Sequence, residues 1–250
     1  MNAAAASALR TVAFGDLDAR LWGCVQAGAE GVATVGSTEP ESEADTVTVA
    51  LESSSATEAW RVAGPGLELT VTAASPPASW TEPEGFDQLC RVRGRAQIGG
   101  SEQAVDCLGW RSARSGLELT RFDSVREVAA WFADEEGMSL SALRPAGARG
   151  HDRDALHASW FEPAGPLAVA EPRLSTTYAR GGLPLHAGVE LWLQAENEQE
   201  QYPRRAQGDA LGVSVRLRHD LTELLVCPLR WHSRGSEGTG IYLLSTASRG

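Results

Sequence analysis

The stretch that decides the fold class of this chain reads Trp60-Arg61-Val62-Ala63-Gly64-Pro65-Gly66-Leu67-Glu68-Leu69-Thr70. A Gly-bearing turn precedes a run in which apolar and polar residues alternate. Alternation with a period of two is typical of a β-strand, because successive side chains of a strand point to opposite faces of a sheet. The stretch therefore predicts a β-hairpin.

The same pattern recurs in Trp110-Arg111-Ser112-Ala113-Arg114-Ser115-Gly116-Leu117-Glu118-Leu119-Thr120, where eight of the eleven residues agree without a gap. Residues 187–192 and 238–244 resemble the repeat more weakly. We interpret the repeat as a sign that the chain is assembled from hairpins of one kind. The alternative is coincidence in a chain rich in Ala, Gly, Arg and Leu.

Strand-like runs continue along the whole chain, separated by segments rich in Pro, Gly and Glu. The runs are residues 17–25, 31–36, 46–51, 66–73, 89–98, 102–108, 116–122, 155–161, 186–194, 206–217, 221–230 and 240–245. The main connections are residues 37–45, 74–85, 145–153, 162–173 and 195–202. Many short strands with frequent turns favour antiparallel sheets, as a barrel or a sandwich. We predict an all-β protein of two similar antiparallel halves, residues 1–122 and 123–250.

Residues 124–144 fit two structures. Val125, Val128, Ala129 and Phe132 could form the apolar stripe of a helix. The same segment can form a hairpin of residues 124–133 and 138–144, and the β-rich surroundings favour the hairpin.

Charge and composition exclude several functions. The chain has 33 acidic and 22 basic residues, a net charge of −11, so its surface would repel a polyanion and nucleic acid is not an expected partner. All basic residues are Arg. Without Lys, neither a Schiff base to a cofactor or aldehyde nor a P-loop can form. We therefore expect no cofactor.

The remaining composition points to a cytoplasmic protein. The four cysteines, Cys24, Cys90, Cys107 and Cys227, have no Cys-x-x-Cys spacing and are expected to be buried and reduced. No run of about eighteen apolar residues suggests a membrane span, and the first ten residues do not resemble a signal peptide.

Local motifs for catalysis or metal binding are weak. His151, Asp152, Asp154 and His157 are suitable metal ligands, but a charged surface turn produces the same residues, and we expect no metal site. The sequence has no Gly-x-Ser-x-Gly elbow.

Charged residues inside apolar strands are the best candidates for chemistry: Glu190, Asp106, Arg91 and Arg111. If they face solvent, they are ordinary surface charges. If they line a barrel interior, they become polar groups in an apolar cavity, as in many small-molecule sites. A carboxylate there would have a raised pKa and could act as a general acid, which makes Glu190 and Asp106 the catalytic candidates.

Aromatic residues supply candidate walls for such a cavity. Seven of the eight Trp residues lie in or beside predicted strands. Core packing explains them equally well, since each indole buries a large apolar area. Our ligand-binding candidates are Trp110, Trp131, Tyr178 and Trp192, together with Arg91 and Arg111.

Two stretches resemble a known family. Residues 86–94, Phe-Asp-Gln-Leu-Cys-Arg-Val-Arg-Gly, and residues 105–112, Val-Asp-Cys-Leu-Gly-Trp-Arg-Ser, resemble the central signature of the hydroxyneurosporene-synthase-like, lipocalin-like superfamily. Residues 126–144 and 238–242 are similar to later family segments. The family's Arg-x-His-Ser-Trp-Gly stretch is replaced here by Arg111-Ser112-Ala113-Arg114-Ser115-Gly116, which lacks the His and the Trp.

The resemblance implies two lipocalin-like halves with an apolar ligand site between or within them. Because known members include carotenoid hydratases and pericyclases, the fold alone does not select a reaction. Our main hypothesis is a protein that binds an apolar, isoprenoid- or polyketide-like small molecule. As an enzyme it would perform cofactor-free hydration, cyclisation or isomerisation, and as a carrier it would need only the cavity. The alternative is a structural or interaction protein with a solid β core.

Arg111 has two possible roles, and the sequence favours one of them. It matches Arg61 in the repeat, which indicates a structural guanidinium that closes a turn by bonding carbonyls. The family resemblance instead implies an Arg that orients a ligand.

Overall fold

The computed structural model describes residues 8–28, 30–39, 42–194, 202–219 and 222–247, apart from the side chains of His151 and His219. Within these ranges the chain forms eighteen β-strands and two short 3₁₀ helices, Leu119–Arg121 and His151–Arg153. The predicted all-β class is confirmed. The chain divides into two compact units, residues 1–38 with 42–117 and residues 39–41 with 118–250.

The N-terminal unit is a closed antiparallel barrel. Its strands are β1 (Leu9–Asp16), β2 (Leu21–Ala27), β3 (Gly31–Ser37), β4 (Ala44–Glu52), β5 (Trp60–Gly64), β6 (Leu67–Ala73), β7 (Ala78–Thr81), β8 (Glu84–Ile98) and β9 (Ser101–Arg114). Strands β1 to β6 each pair with the next, β6 pairs with β8, and β9 pairs with both β8 and β1. These pairings close a ring of eight strands, and β7 extends from β8 outside the ring.

The C-terminal unit repeats this strand order. Its strands are β10 (Phe122–Ala133), β11 (Glu136–Pro145), β12 (Ala155–Glu162), β13 (Gly165–Tyr178), β14 (Pro184–Leu193), β15 (Arg204–Ala210), β16 (Val215–His219), β17 (Thr222–Ser233) and β18 (Ser236–Ala247). The pairing of β15 with β17 closes the second ring of eight, and β16 lies outside it. Strands β10 and β11 form the hairpin favoured at residues 124–144.

Alternation along the strands fills each barrel interior. In β6, Leu67, Leu69 and Val71 are buried, whereas Glu68 and Thr70 are exposed. Leu67, Leu69 and Val71 belong to a core cluster with Trp60. The C-terminal barrel has its own cluster around Trp231 and Tyr242. Large aromatic side chains thus occupy much of both interiors.

Several predicted elements are wrong. Residues 74–85, expected to be a connection, contain β7 and the first residues of β8, and residues 206–217, expected to be one strand, are divided between β15 and β16. Of the predicted strand 116–122, only Phe122 lies in a strand, β10, because the preceding strand β9 already pairs with β1 on one edge and β8 on the other. No open edge remains there for a hairpin partner. Residues 162–173, expected to be a connection, instead form the turn into β13 and its first half. The repeat is therefore not a repeat of hairpins: its first copy is the hairpin β5–β6, and its second ends in a 3₁₀ helix.

In the part of the chain that the structure describes, no helix is long and apolar enough to cross a membrane. The placement of a domain boundary between residues 122 and 123 stays a prediction.

Candidate ligand site in the N-terminal barrel

Glu190 lies on the outer face of the C-terminal barrel. Its neighbours in β14, Val189 and Leu191, are buried in the core, so alternation turns Glu190 outward. Its carboxylate is 2.9 Å from Nε of Arg205 and 3.8 Å from Nη1 of Arg173. Glu190 is therefore a surface charge, and its predicted place in a cavity is corrected.

Asp106 and Arg91 pair with each other on the outer face of the N-terminal barrel. Nε of Arg91 donates to Oδ1 of Asp106 over 2.8 Å, and the Asp106 side chain is 55% exposed. The hydrogen bond from Arg91 holds the pKa of Asp106 below its usual value. This is opposite to the raised pKa expected of a buried general acid.

The aromatic candidates of the C-terminal barrel do not line one cavity. Trp131 is buried on the face of β10 opposite to Val128 and Ala130, which belong to the interior core. Trp192 follows the outward phase of Glu190 in β14. Tyr178 is 41% exposed at the end of β13, and its hydroxyl lies 2.7 Å from that of buried Tyr242. Burial raises the pKa of Tyr242.

Trp110 belongs to a buried polar cluster. Its indole Nε1 donates to Oδ1 of Asp87 over 3.1 Å, and Nη2 of Arg114 donates to the same oxygen over 2.6 Å. Asp87 is fully buried and Arg114 is 2% exposed. The guanidinium carbon of Arg114 lies 3.6 Å from the ring centroid of Trp80, a cation–π contact. Its Nη1 also donates to the carbonyl of Phe86.

Arg111 is fully buried inside the N-terminal barrel, in phase with Val105 and Cys107. Its side chain stacks on Trp60, 4.9 Å from the ring centroid. Five hydrogen bonds engage the guanidinium, with the side chain of Gln88 (two bonds) and the carbonyls of Ala56, Glu58 and Val71. Because a guanidinium has five N–H donors, none is left for a ligand. The structural role is therefore the one that the geometry supports, although the partners are not in the Gly116 turn.

A cleft opens at the end of the barrel beside these two arginines. We call it the Trp80 cleft, and its volume is about 340 Å³. Two aromatic side chains, Trp80 and Phe86, line it. Its other lining residues are Ala8, Ser54, Ala56, Pro77, Ser79, Glu84, Gly85, Ala113 and Ser115. The lining thus combines an apolar surface with three hydroxyl groups and one carboxylate.

Buried arginines hold both walls of the Trp80 cleft. Arg111 bonds the carbonyl of Ala56, and Arg114 stacks on Trp80. The loop before β5 is also held by Trp60, whose Nε1 donates to the carbonyl of Ser55 over 2.8 Å. At Gly85, a Cβ atom would lie 2.0 Å from the carbonyl oxygen of Ala113, so only glycine allows this approach of β8 to β9. The cleft is therefore preorganised rather than formed by a ligand.

Sequence reasoning identified the supports of this site but missed its lining. Trp110 and Arg111 stand out in the sequence because they are large or charged residues within an apolar strand. Trp80 lies in β7, within residues 74–85, which the sequence predicts to be a connection. Phe86 lies near the start of β8, in the family-like stretch 86–94, and was not a site candidate. The signal that could have found Trp80 is the alternation of residues 78–81, Ala-Ser-Trp-Thr, in which Ala78 and Trp80 are buried.

In the possible metal cluster of residues 151–157, the buried carboxylate of Asp154 pairs with arginines. Asp154 is held by Arg126 and Arg144, and the distance from Arg144 Nε to its Oδ1 is 2.8 Å. Among the described residues, no three His, Cys, Asp or Glu side chains are grouped to hold a metal ion.

Solved structures share this fold at low sequence identity. CghA, in a structure with Sch210972, is 10% identical, with a TM-score of 0.64 over 98% of this chain and 89% of its own. A putative AttH from Nitrosomonas europaea is 11% identical, with a TM-score of 0.61 over 100% of this chain and 95% of its own. Kievitone hydratase from Nectria haematococca is 9% identical, with a TM-score of 0.61 over 99% of this chain and 90% of its own.

The fold is lipocalin-like. The TM-scores show the shared fold, whereas identities this low leave the reaction open. No protein-family model matches the sequence, and no curated protein matches it. The narrower resemblance to hydroxyneurosporene-synthase-like proteins therefore stays a prediction.

Proposed function

We propose that this protein binds an apolar small molecule of isoprenoid or polyketide type, and that the Trp80 cleft is its site. The observation that carries the proposal is the preorganised cleft itself. Its volume of about 340 Å³ lies within the range of small-molecule sites, roughly 300–1,000 Å³. Trp80 and Phe86 offer aromatic contact area for the apolar body of a ligand.

The polar lining restricts the ligand further. Ser54, Ser79 and Ser115 place hydroxyl groups around the aromatic surface. In the described part of the chain their hydroxyls have no hydrogen-bond partner, so they can bond oxygen atoms of a ligand. The expected ligand is therefore a mainly apolar molecule with at least one hydroxyl or carbonyl group.

The structural neighbours support a small organic ligand. One is named as a hydratase of kievitone, and another was solved with Sch210972. We extend to this chain only the binding of such a molecule. Proton-driven catalysis would need a carboxyl group at the ligand, and Glu84 is the carboxylate that lines the cleft.

The proposal is tested with retinol, an isoprenoid alcohol, followed by its fluorescence on titration. We expect Trp80→Ala to weaken retinol binding at least about tenfold, the effect of losing roughly 1.4 kcal/mol of contact. Ser79→Phe, which adds a large side chain at an exposed position of the cleft lining, should also weaken binding. Trp192→Ala is the matched control, since Trp192 does not line the cleft.

Native mass spectrometry of protein purified from its own source provides a second test. A co-purifying small molecule that Ser79→Phe displaces would support the proposal. Unchanged retinol binding in both cleft variants would overturn it. If neither retinol nor a co-purifying molecule binds, the alternative of a structural protein with a solid core is favoured. Turnover that Glu84→Gln abolishes with binding retained would identify an enzyme.

A further inference from the structure

A second cleft lies within the C-terminal unit, at the end of its barrel. Its volume is about 270 Å³, and we call it the Trp160 cleft. Three aromatic residues line it, Phe132, Trp160 and Phe161, and of these Phe161 is fully buried. The rings of Phe132 and Trp160 are tilted by 31° with centroids 6.3 Å apart, so they form one continuous apolar surface.

Charged residues of two hairpin turns flank this surface. Glu136 begins β11 after the β10–β11 turn, and Arg234 lies in the β17–β18 turn. Arg234 and Gly235 have φ angles of 51° and 84°, the pattern of a type I′ turn, which fixes the direction of the hairpin end. Both charges therefore come from rigid connections rather than long loops.

These two charges are not neutralised within the barrel. Glu162, which also lines the cleft, is paired with Arg204 at 2.9 Å. In contrast, neither Glu136 nor Arg234 has an ion-pair partner among the residues that the structure describes, and they do not pair with each other. The cleft thus presents one available carboxylate, one available guanidinium and an aromatic surface.

We propose that the Trp160 cleft binds an aromatic α-amino acid or a closely related aromatic zwitterion. The ring of the ligand packs on Phe132 and Trp160, its ammonium group pairs with Glu136, and its carboxylate pairs with Arg234. A guanidinium fork matches the geometry of a carboxylate, and Trp is the aromatic side chain most favourable to a nearby cation. The volume lies below the roughly 300 Å³ typical of larger ligands, which fits a molecule of amino-acid size.

This site is independent of the Trp80 cleft, because all its residues belong to the other unit. The experiment is calorimetric titration of the full chain with three probes. L-Phenylalanine carries both charges, 2-phenylethylamine carries only the ammonium group, and 3-phenylpropionate carries only the carboxylate. We expect L-phenylalanine to bind at least about tenfold more tightly than either singly charged probe, since each charge-assisted hydrogen bond contributes.

Variants assign each charge to its partner. Glu136→Gln should weaken the binding of L-phenylalanine and 2-phenylethylamine about tenfold and leave the binding of 3-phenylpropionate unchanged. Arg234→Gln should weaken the binding of L-phenylalanine and 3-phenylpropionate about tenfold and leave the binding of 2-phenylethylamine unchanged. Two variants are matched controls, Glu135→Gln and Arg230→Gln. Glu135 lies in the turn before Glu136 but does not line the cleft, and Arg230 lies 3.8 Å from Glu237 and does not line it either. The three probes binding equally, no probe binding, or equal effects of the control variants would overturn the proposal.

Discussion

Arg111 donates two hydrogen bonds to the side-chain oxygen of Gln88, from Nε at 2.9 Å and from Nη2 at 2.8 Å. The two residues lie opposite each other on β9 and β8. The amide nitrogen of Gln88 in turn donates to the carbonyl of Ser75 over 2.7 Å. Since Arg111 also holds Ala56, one buried guanidinium ties together the two segments that line the Trp80 cleft around residues 54–56 and 75–77.

Arg111→Lys is expected to destabilise the protein clearly. Lysine keeps the positive charge but has three donors without the planar fork, so buried carbonyls lose their partners. At about 1–3 kcal/mol for each unsatisfied group, the melting temperature should fall by roughly 5–10 °C. Thermal unfolding followed by circular dichroism measures this.

Arg61→Lys is the matched control, because Arg61 holds the same place in the first copy of the repeat but is exposed. An Arg111→Lys protein that melts with the wild type and loses only retinol affinity would make Arg111 a ligand-binding residue.

The buried pair Asp87–Arg114 should contribute far more stability than the exposed pair Asp106–Arg91. Removing one partner of a buried pair leaves an uncompensated charge, which costs about 3–5 kcal/mol. Asp87→Asn should therefore lower the free energy of unfolding by about this amount in urea. Asp106→Asn removes a carboxylate that is 55% exposed and should leave the urea midpoint nearly unchanged. Equal midpoints for the two variants would contradict the buried pairing.

Alternation in the sequence predicts which residues share a face, and it did so correctly here. Val189 and Leu191 share one face of β14, which leaves Glu190 on the other. In β9, Arg111 has the phase of Cys107 and Asp106 has the opposite phase. The pattern alone therefore separated Arg111 from Asp106, although our prediction grouped them in one cavity.

Sequence periodicity cannot predict contacts between distant segments. The Trp80 cleft brings together residues near positions 8, 54–56, 77–86 and 113–115, and only closure of the barrel makes them neighbours. The same limit explains the repeat. Eight of the eleven residues agree between its two copies, but the second copy begins inside β9, a strand whose two edges are already occupied. Long-range pairing there overrides local preference.

Glu190→Gln and Asp106→Asn should leave retinol affinity unchanged. Both carboxylates lie on outer barrel faces and pair with arginines, and neither lines the Trp80 cleft. Retinol titration of the two variants beside Trp80→Ala measures this. A loss of affinity in Glu190→Gln that matches the loss in Trp80→Ala would restore the original assignment of Glu190 to the ligand site.

The buried thiols should make the protein sensitive to alkali. Burial raises the pKa of Cys107 to about 12 and raises the pKa of Cys90 and Cys227 as well. In the unfolded chain these thiols ionise at their ordinary pKa, which is roughly 8.5. Below this pH the thiols are neutral in both states and their contribution to stability is fully present. As the pH rises toward about 12, only the unfolded state gains from ionisation, so the free energy of unfolding falls.

The fall should approach about 1.4 kcal/mol per pH unit for each buried thiol. Urea unfolding between roughly pH 8 and pH 11 measures the slope, since the ordinary thiol pKa lies within that interval. Cys107→Ala is expected to lower the initial stability but to make the slope shallower by one thiol's share, because tyrosine and arginine titrations are common to both proteins. The native protein should also resist a thiol-specific reagent at pH 8 and react only on unfolding, since all four cysteines are buried. Rapid labelling of the folded protein, or a slope that Cys107→Ala does not change, would contradict the burial of a neutral thiol at this position.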